Sequence, residues 1–204
     1  MNRLMSIFAL CRTLAVPAGA IGQESGAGVQ GYYVDESVEV AKHHVFPAGA
    51  EVDGATILVR DFRNKVVRMD VSTAALEPDS AYSIWLAVFN SPEYCGIPHD
   101  CMPADLGNAD VRGSVFWGGG LISDGDGHGS TTMTLQPGRT DRELFANMSD
   151  LGLQDIRRAH IHVVLRSHGP IGVAGSVADQ IRTAWLACPG TGCFNAFTSL
   201  HVTN

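Results

Sequence analysis

The stretch Arg158-Ala159-His160-Ile161-His162-Val163-Val164-Leu165-Arg166 alternates two chemistries along the chain. Ala159, Ile161, Val163 and Leu165 share one parity, and His160, His162, Val164 and Arg166 share the other. Successive side chains of an extended strand point to opposite faces, so this period of two predicts a β-strand with one apolar and one polar side. His160 and His162 then point the same way. His168 follows just beyond, ahead of Gly169-Pro170.

Working outward, the flanking sequence also reads as strands. Ala81 to Asn90 is apolar on both parities, which predicts a central strand covered on both sides. Ala55–Asp61 and Lys65–Ser72 flank Phe62-Arg63-Asn64, a hairpin-sized connection. Val111–Ser123 is an apolar run broken by Gly118-Gly119-Gly120, as expected for a bulge, a bend or close backbone approach. Asp124-Gly125-Asp126-Gly127-His128-Gly129 is turn chemistry, and Ser130–Gln136 is the next strand. Thr140-Asp141-Arg142-Glu143 is a capping box that predicts a short helix through about Met148. Val177–Trp185 reads as either a strand or a short amphipathic helix, with strand favoured, and Phe194–Val202 reads as a strand. Many short strands, turns between them and one short helix predict an all-β Greek-key sandwich or barrel over residues 51–204.

The 204 residues are 45% hydrophobic and 17% charged, a globular composition, and the net charge of -7 with no basic stripe argues against nucleic acid as a partner. Residues 1–20 read as a secretion signal: Arg3, an apolar run, and Ala18-Gly19-Ala20 as a small-x-small cleavage site. Residues 21–50, rich in Gly and Ala, read as a linker or N-terminal extension. No later stretch has the roughly 20 apolar residues of a membrane span. Removing the signal leaves Cys95, Cys101, Cys188 and Cys193, an even count that fits a secreted or periplasmic protein. Local pairing, Cys95 with Cys101 and Cys188 with Cys193, is the expectation among three possible connectivities.

His160, His162 and His168 are candidate ligands of copper or zinc, because imidazole nitrogens suit both ions and two strand ligands plus a loop ligand make an open site. His99, His128 or His201 would supply a fourth ligand. An open copper site would support redox or oxygen chemistry. Three other readings stand beside this one. The histidines form a hydrogen-bonded polar seam in a non-catalytic extracellular binding or structural module. A hydrolase uses a dispersed triad, or it uses a zinc-activated water. A small molecule or a metal ion is the expected partner in each case. The Asp124–Gly129 loop lacks the twelfth-position Glu of a calcium loop, where Leu135 stands, and is read as a hairpin turn. The Cys95–Cys101 loop, with His99 and Asp100, is read as a staple.

Ala159-His160-Ile161-His162, followed by His168-Gly169-Pro170 and Gly172, resembles the Ala-His-Ile-His core of chordin-type (CHRD) β-domains. It is more distantly similar to the His-x-His strand of copper/zinc superoxide dismutases. The resemblance implies a Greek-key or related β architecture, with His160 and His162 at copper-type positions. In the chordin-type pattern Gly soon follows the second His, whereas Val163-Val164-Leu165-Arg166 intervenes here. Ala81–Cys101 together with Ile161–Pro170 also resembles a group of exported bacterial proteins of unknown function, which implies no activity.

Overall fold

A computed structural model describes residues 35–46, 49–139, 152–173, 175–183, 188 and 192–203. The expected signal segment, residues 21–34 of the expected linker and the helix expected at Thr140–Met148 lie outside the described residues.

Eight antiparallel strands form one sheet: β1 Glu36–Val45, β2 Glu51–Asp61, β3 Val66–Thr73, β4 Ser80–Phe89, β5 Gly113–Ile122, β6 Gly129–Leu135, β7 His160–Pro170 and β8 Phe194–His201. Their order is β5-β4-β7-β8-β1-β2-β3-β6, so β3–β6 and β4–β7 are crossover neighbours and β8 returns beside β1. The terminal strands β5 and β6 are joined by the Asp124–His128 turn, in which Asp124 accepts from the backbone N–H of Gly127, and the sheet curls almost into a closed barrel. The all-β Greek-key expectation holds. No helix among the described residues is long and apolar enough to cross a membrane.

The barrel interior is filled by one parity from each strand, including Leu58, Met69, Tyr82, Ile84, Phe116, Ile161, Val163 and Leu165. β4 is buried along almost its whole length, as its two apolar faces require. Its outward side chains Trp85, Ala87 and Phe89 lie under the excursion at residues 90–112 between β4 and β5. This segment carries three 3-10 turns and packs Val111 and the Cys95–Cys101 disulfide onto Phe89. The second local disulfide, Cys188–Cys193, closes the approach to β8.

Two expectations change. Glu36–Val45, placed in the linker, is a strand in the middle of the sheet. Val177–Arg182, where strand is favoured over a short helix from sequence, is the short helix, α1. Ser176 caps it: its Oγ accepts from the Asp179 backbone N–H and donates to the Asp179 carboxylate. α1 rests on β5, where a Cβ at Gly120 would lie 2.5 Å from Ile181 Cβ, and Trp117 Nε1 donates to the Ile181 carbonyl at 2.9 Å. The glycine run therefore serves close approach and also carries a bulge: Ile84 pairs with Gly119 and Trp85 with Trp117, which leaves Gly118 as the extra residue of β5.

Candidate functional site

Strand parity divides the polar side chains into three buried groups. The first lies inside the barrel, between β1, β2 and β8. Arg60 is completely buried there, with Nε donating to Glu39 Oε1 at 2.6 Å and Nη1 donating to the carbonyls of Ile156 at 2.7 Å and Ala159 at 2.9 Å. His201 Nδ1 lies 3.6 Å from the second Glu39 oxygen. Burial pulls the Glu39 carboxyl upward, but contacts with His201 and Arg60 outweigh it and hold the group below its ordinary value. Beside this pair, Ser199 Oγ donates to Thr56 Oγ1 at 2.8 Å, and Thr56 Oγ1 is 3.2 Å from His43 Nε2. A Thr56 hydroxyl that accepts from Ser199 and donates to His43 satisfies both contacts and assigns the imidazole proton to Nδ1. Burial, reinforced by the charges of His201 and His44, pushes His43 down to about 4, so this imidazole is neutral near pH 7.

The second group lies on the outer side of β7, under the 90–112 excursion. His160 and His162 share this face, as their spacing requires. The His162 ring packs against Phe89, with centroids 4.7 Å apart. Burial lowers His162 to about 4. The His160 ring stands 5.7 Å from that of His99, and its Nε2 is 3.4 Å from the Thr203 carbonyl. Burial lowers His160 as well, against the opposing effect of the Thr203 carbonyl. The disulfide thus acts as a staple that keeps water from two imidazoles.

His168 belongs to a third group, toward the other end of β7. Its Nε2 lies 2.8 Å from Ser83 Oγ, which also accepts from Trp85 Nε1 at 2.9 Å. Its Nδ1 lies 3.1 Å from Cys193 Sγ. His168 and Ser83 are both fully buried, so this Ser–His contact presents no hydroxyl to a substrate. His168, Cys188 and Cys193 bring one ligand atom each to within 4.8 Å of one another, the one such group among the described residues. The two cysteines are bonded to each other, so they offer disulfide sulfurs and not thiolates.

The expected trio His160, His162 and His168 is therefore not drawn together: five residues of extended β7 separate His162 from His168. Of the expected fourth ligands, His201 is inside the barrel, His99 covers His160, and His128 is exposed at its turn, 3.7 Å from Asp124. Glu39, His43, Thr56, Arg60 and Ser199 were not anticipated from sequence. Their signal was present but inverted. In β1, Val38 and Val40 face outward at 59% and 66% exposure, while Glu39 and His43 face inward.

One concavity opens to solvent along the β2–β3 side near the Asp124–His128 turn. It measures about 590 Å³ and is lined by Asp53, Thr73, Ile122, Asp124, His128 and Ser130, among others. Backbone N–H groups of His128 and Asp126 hold the Asp124 carboxyl below its ordinary range. No family model matches the chain, and neither a curated protein nor a solved structure does.

Proposed function

We propose that this domain is an exported, non-catalytic β-barrel module that binds a small polar ligand in the cavity beside the Asp124–His128 turn. The observation that carries the reading is a contrast in access. His160, His162 and His168 are each buried against separate partners, whereas the cavity is open, of ligand size, and carries two carboxylates among hydroxyl groups. Such a lining favours a cationic or hydroxyl-rich molecule. The two disulfides support an oxidising compartment. Thermal unfolding of residues 21–204 with spermidine, glucosamine and neutral sugars tests it. A rise in Tm that disappears in Asp53→Asn and Asp124→Asn supports the reading. No shift with any of them, or one that survives both substitutions, counts against it.

A second reading, a copper or zinc site at the His160–His162 end, is favoured by one specific observation. His160 Nδ1 is buried without a hydrogen-bond partner, beside the ring of His99. Such an atom costs roughly 1–3 kcal/mol, and a neutral imidazole is the ligand form. The resemblance to chordin-type domains and copper/zinc dismutases points to the same pair. Here His99 would replace His168 after side-chain rotation, and any activity would be redox or oxygen chemistry. Elemental analysis after copper and zinc loading tests it, with His160→Ala and His162→Ala as controls. Less than one bound ion per chain sinks it.

A further inference from the structure

We propose that His168, Cys188 and Cys193 form a redox-gated zinc site, closed while the Cys188–Cys193 disulfide is intact and created when that bond is reduced. The geometry is already assembled: the imidazole and the two sulfurs lie within 4.8 Å of one another, with His168 Nδ1 3.1 Å from Cys193 Sγ. Four residues separate the cysteines, a spacing found in structural zinc sites. Three ligands of this kind leave a fourth tetrahedral position for water.

The surroundings suit a ligand set. With its proton on Nε2, His168 donates to Ser83 Oγ and turns the Nδ1 lone pair toward the sulfurs. Ser83 is fixed in turn by Trp85 Nε1–H. A metal-binding histidine held through its other nitrogen is the usual supporting arrangement. Arg166 Nη2 donates to the Cys193 carbonyl at 3.0 Å, placing a positive charge beside the pair and favouring thiolates over thiols. Cys95 and Cys101 are packed against Phe89 under the excursion and belong to no such group.

A dithiol reductant transfers two electrons and two protons to the Cys188–Cys193 bond and becomes a cyclic disulfide. Zinc(II) then displaces one proton from each thiol and binds the two thiolates and the neutral imidazole. A disulfide oxidant then takes two electrons from the thiolate pair and two protons from solvent, leaves as two thiols, and the re-formed Cys188–Cys193 bond releases zinc(II).

The test uses the full chain, purified oxidised, and a second portion treated with dithiothreitol and desalted without oxygen. Zinc is titrated against a chromogenic chelator, and cobalt(II) is added separately to read thiolate charge-transfer absorption. The expected result is one tight zinc per reduced chain and none per oxidised chain. The cobalt band should appear only after reduction and remain in Cys95→Ser/Cys101→Ser. Cys188→Ser/Cys193→Ser should lose at least 100-fold in affinity. Ser83→Ala should lose roughly 10- to 100-fold, the usual effect of removing a supporting hydrogen bond. Should the double serine variant fail to fold, His168→Gln replaces it and should weaken zinc binding while shifting the cobalt d–d bands. Equal zinc binding by both redox forms, or a site lost in Cys95→Ser/Cys101→Ser but kept in Cys188→Ser/Cys193→Ser, would overturn the proposal. So would a reduced protein that binds zinc only after urea has unfolded it.

Discussion

Arg60 Nη1 donates to the carbonyl of Ala159 at 2.9 Å, so a cation on β2 holds the residue that immediately precedes His160 on β7. The same guanidinium neutralises Glu39 on β1. One side chain therefore ties three strands together inside the barrel. Removing it leaves Glu39 and two buried carbonyls without their partner. Arg60→Met is expected to lower the unfolding free energy by about 3–5 kcal/mol, the usual result of breaking a buried pair. Adding Glu39→Leu should recover a large part of the loss, because an apolar pair removes the stranded charge. Urea denaturation of the wild type and both variants checks this. An Arg60→Met protein as stable as the wild type would contradict it.

The buried imidazoles make stability depend on pH in a defined direction. His43 and His162 titrate at about 4 in the folded protein, against about 6.5 in the unfolded chain. Above pH 6.5 both states leave them neutral, and their contribution to stability is complete. Between about pH 6.5 and 4 the unfolded chain takes up protons that the folded chain refuses, so stability falls. Below about pH 4 the folded protein takes them too, and this slope vanishes. Two such groups give a steepest slope of about 2.7 kcal/mol per pH unit. Lowering of His160 adds in the same sense. Urea midpoints at pH 7.5, 6 and 5 read the effect, and His162→Gln should remove about one proton's worth of slope. A flat profile over this range is the contrary result.

Opening the Cys95–Cys101 bridge should expose what lies beneath it. Cys95→Ser/Cys101→Ser is expected to cost about 2 kcal/mol, since the closed loop is short. The larger change is local. His160 and His162 should become reactive toward diethyl pyrocarbonate, read by peptide mass spectrometry, while His43 in the interior stays protected. Unchanged protection of both outer histidines would show that the excursion holds without its staple.

Gly54 tests the join between the cavity and the interior polar group. Its φ is +139°, and a Cβ there would lie 2.7 Å from the Ser72 carbonyl and 2.8 Å from His43 Nδ1. Gly54→Ala is expected to destabilise by about 2 kcal/mol or more, combining backbone strain with pressure on His43. Gly125, with open space around it, is the control, and Gly125→Ala should stay within about 0.5 kcal/mol of wild type. Thermal or urea unfolding distinguishes the two.

Much of this fold was legible because burial writes itself into strand parity. The apolar faces of Ala81–Asn90 and the alternation at Ala159–Leu165 give the right strands and the right shared face for His160 and His162. β1 was not legible, for a physical reason. It turns Val38 and Val40 to solvent and Glu39 and His43 to the interior, which is affordable only because Arg60 and Thr56 on β2 meet them. That compensation comes from distant residues, so the local alternation of β1 carries the strand signal with its faces inverted. α1 stood second to a strand reading because its signal is a single cap, Ser176 with Asp179, on a six-residue segment. The histidine trio failed on distance along the strand: same-face residues six apart in an extended chain stand about 20 Å apart.

The edges of β5 and β6 face each other, but no ladder hydrogen bonds join them among the described strands. Neither edge is then a free template for a foreign strand, since each shields its neighbour. Yet the line between them is held by side chains and one turn alone. It is the place where the barrel can part without breaking a backbone ladder. Amide exchange should begin there, along Gly113–Ile122 and Gly129–Leu135, well before the β4–β7 ladder at the molecule's centre gives way.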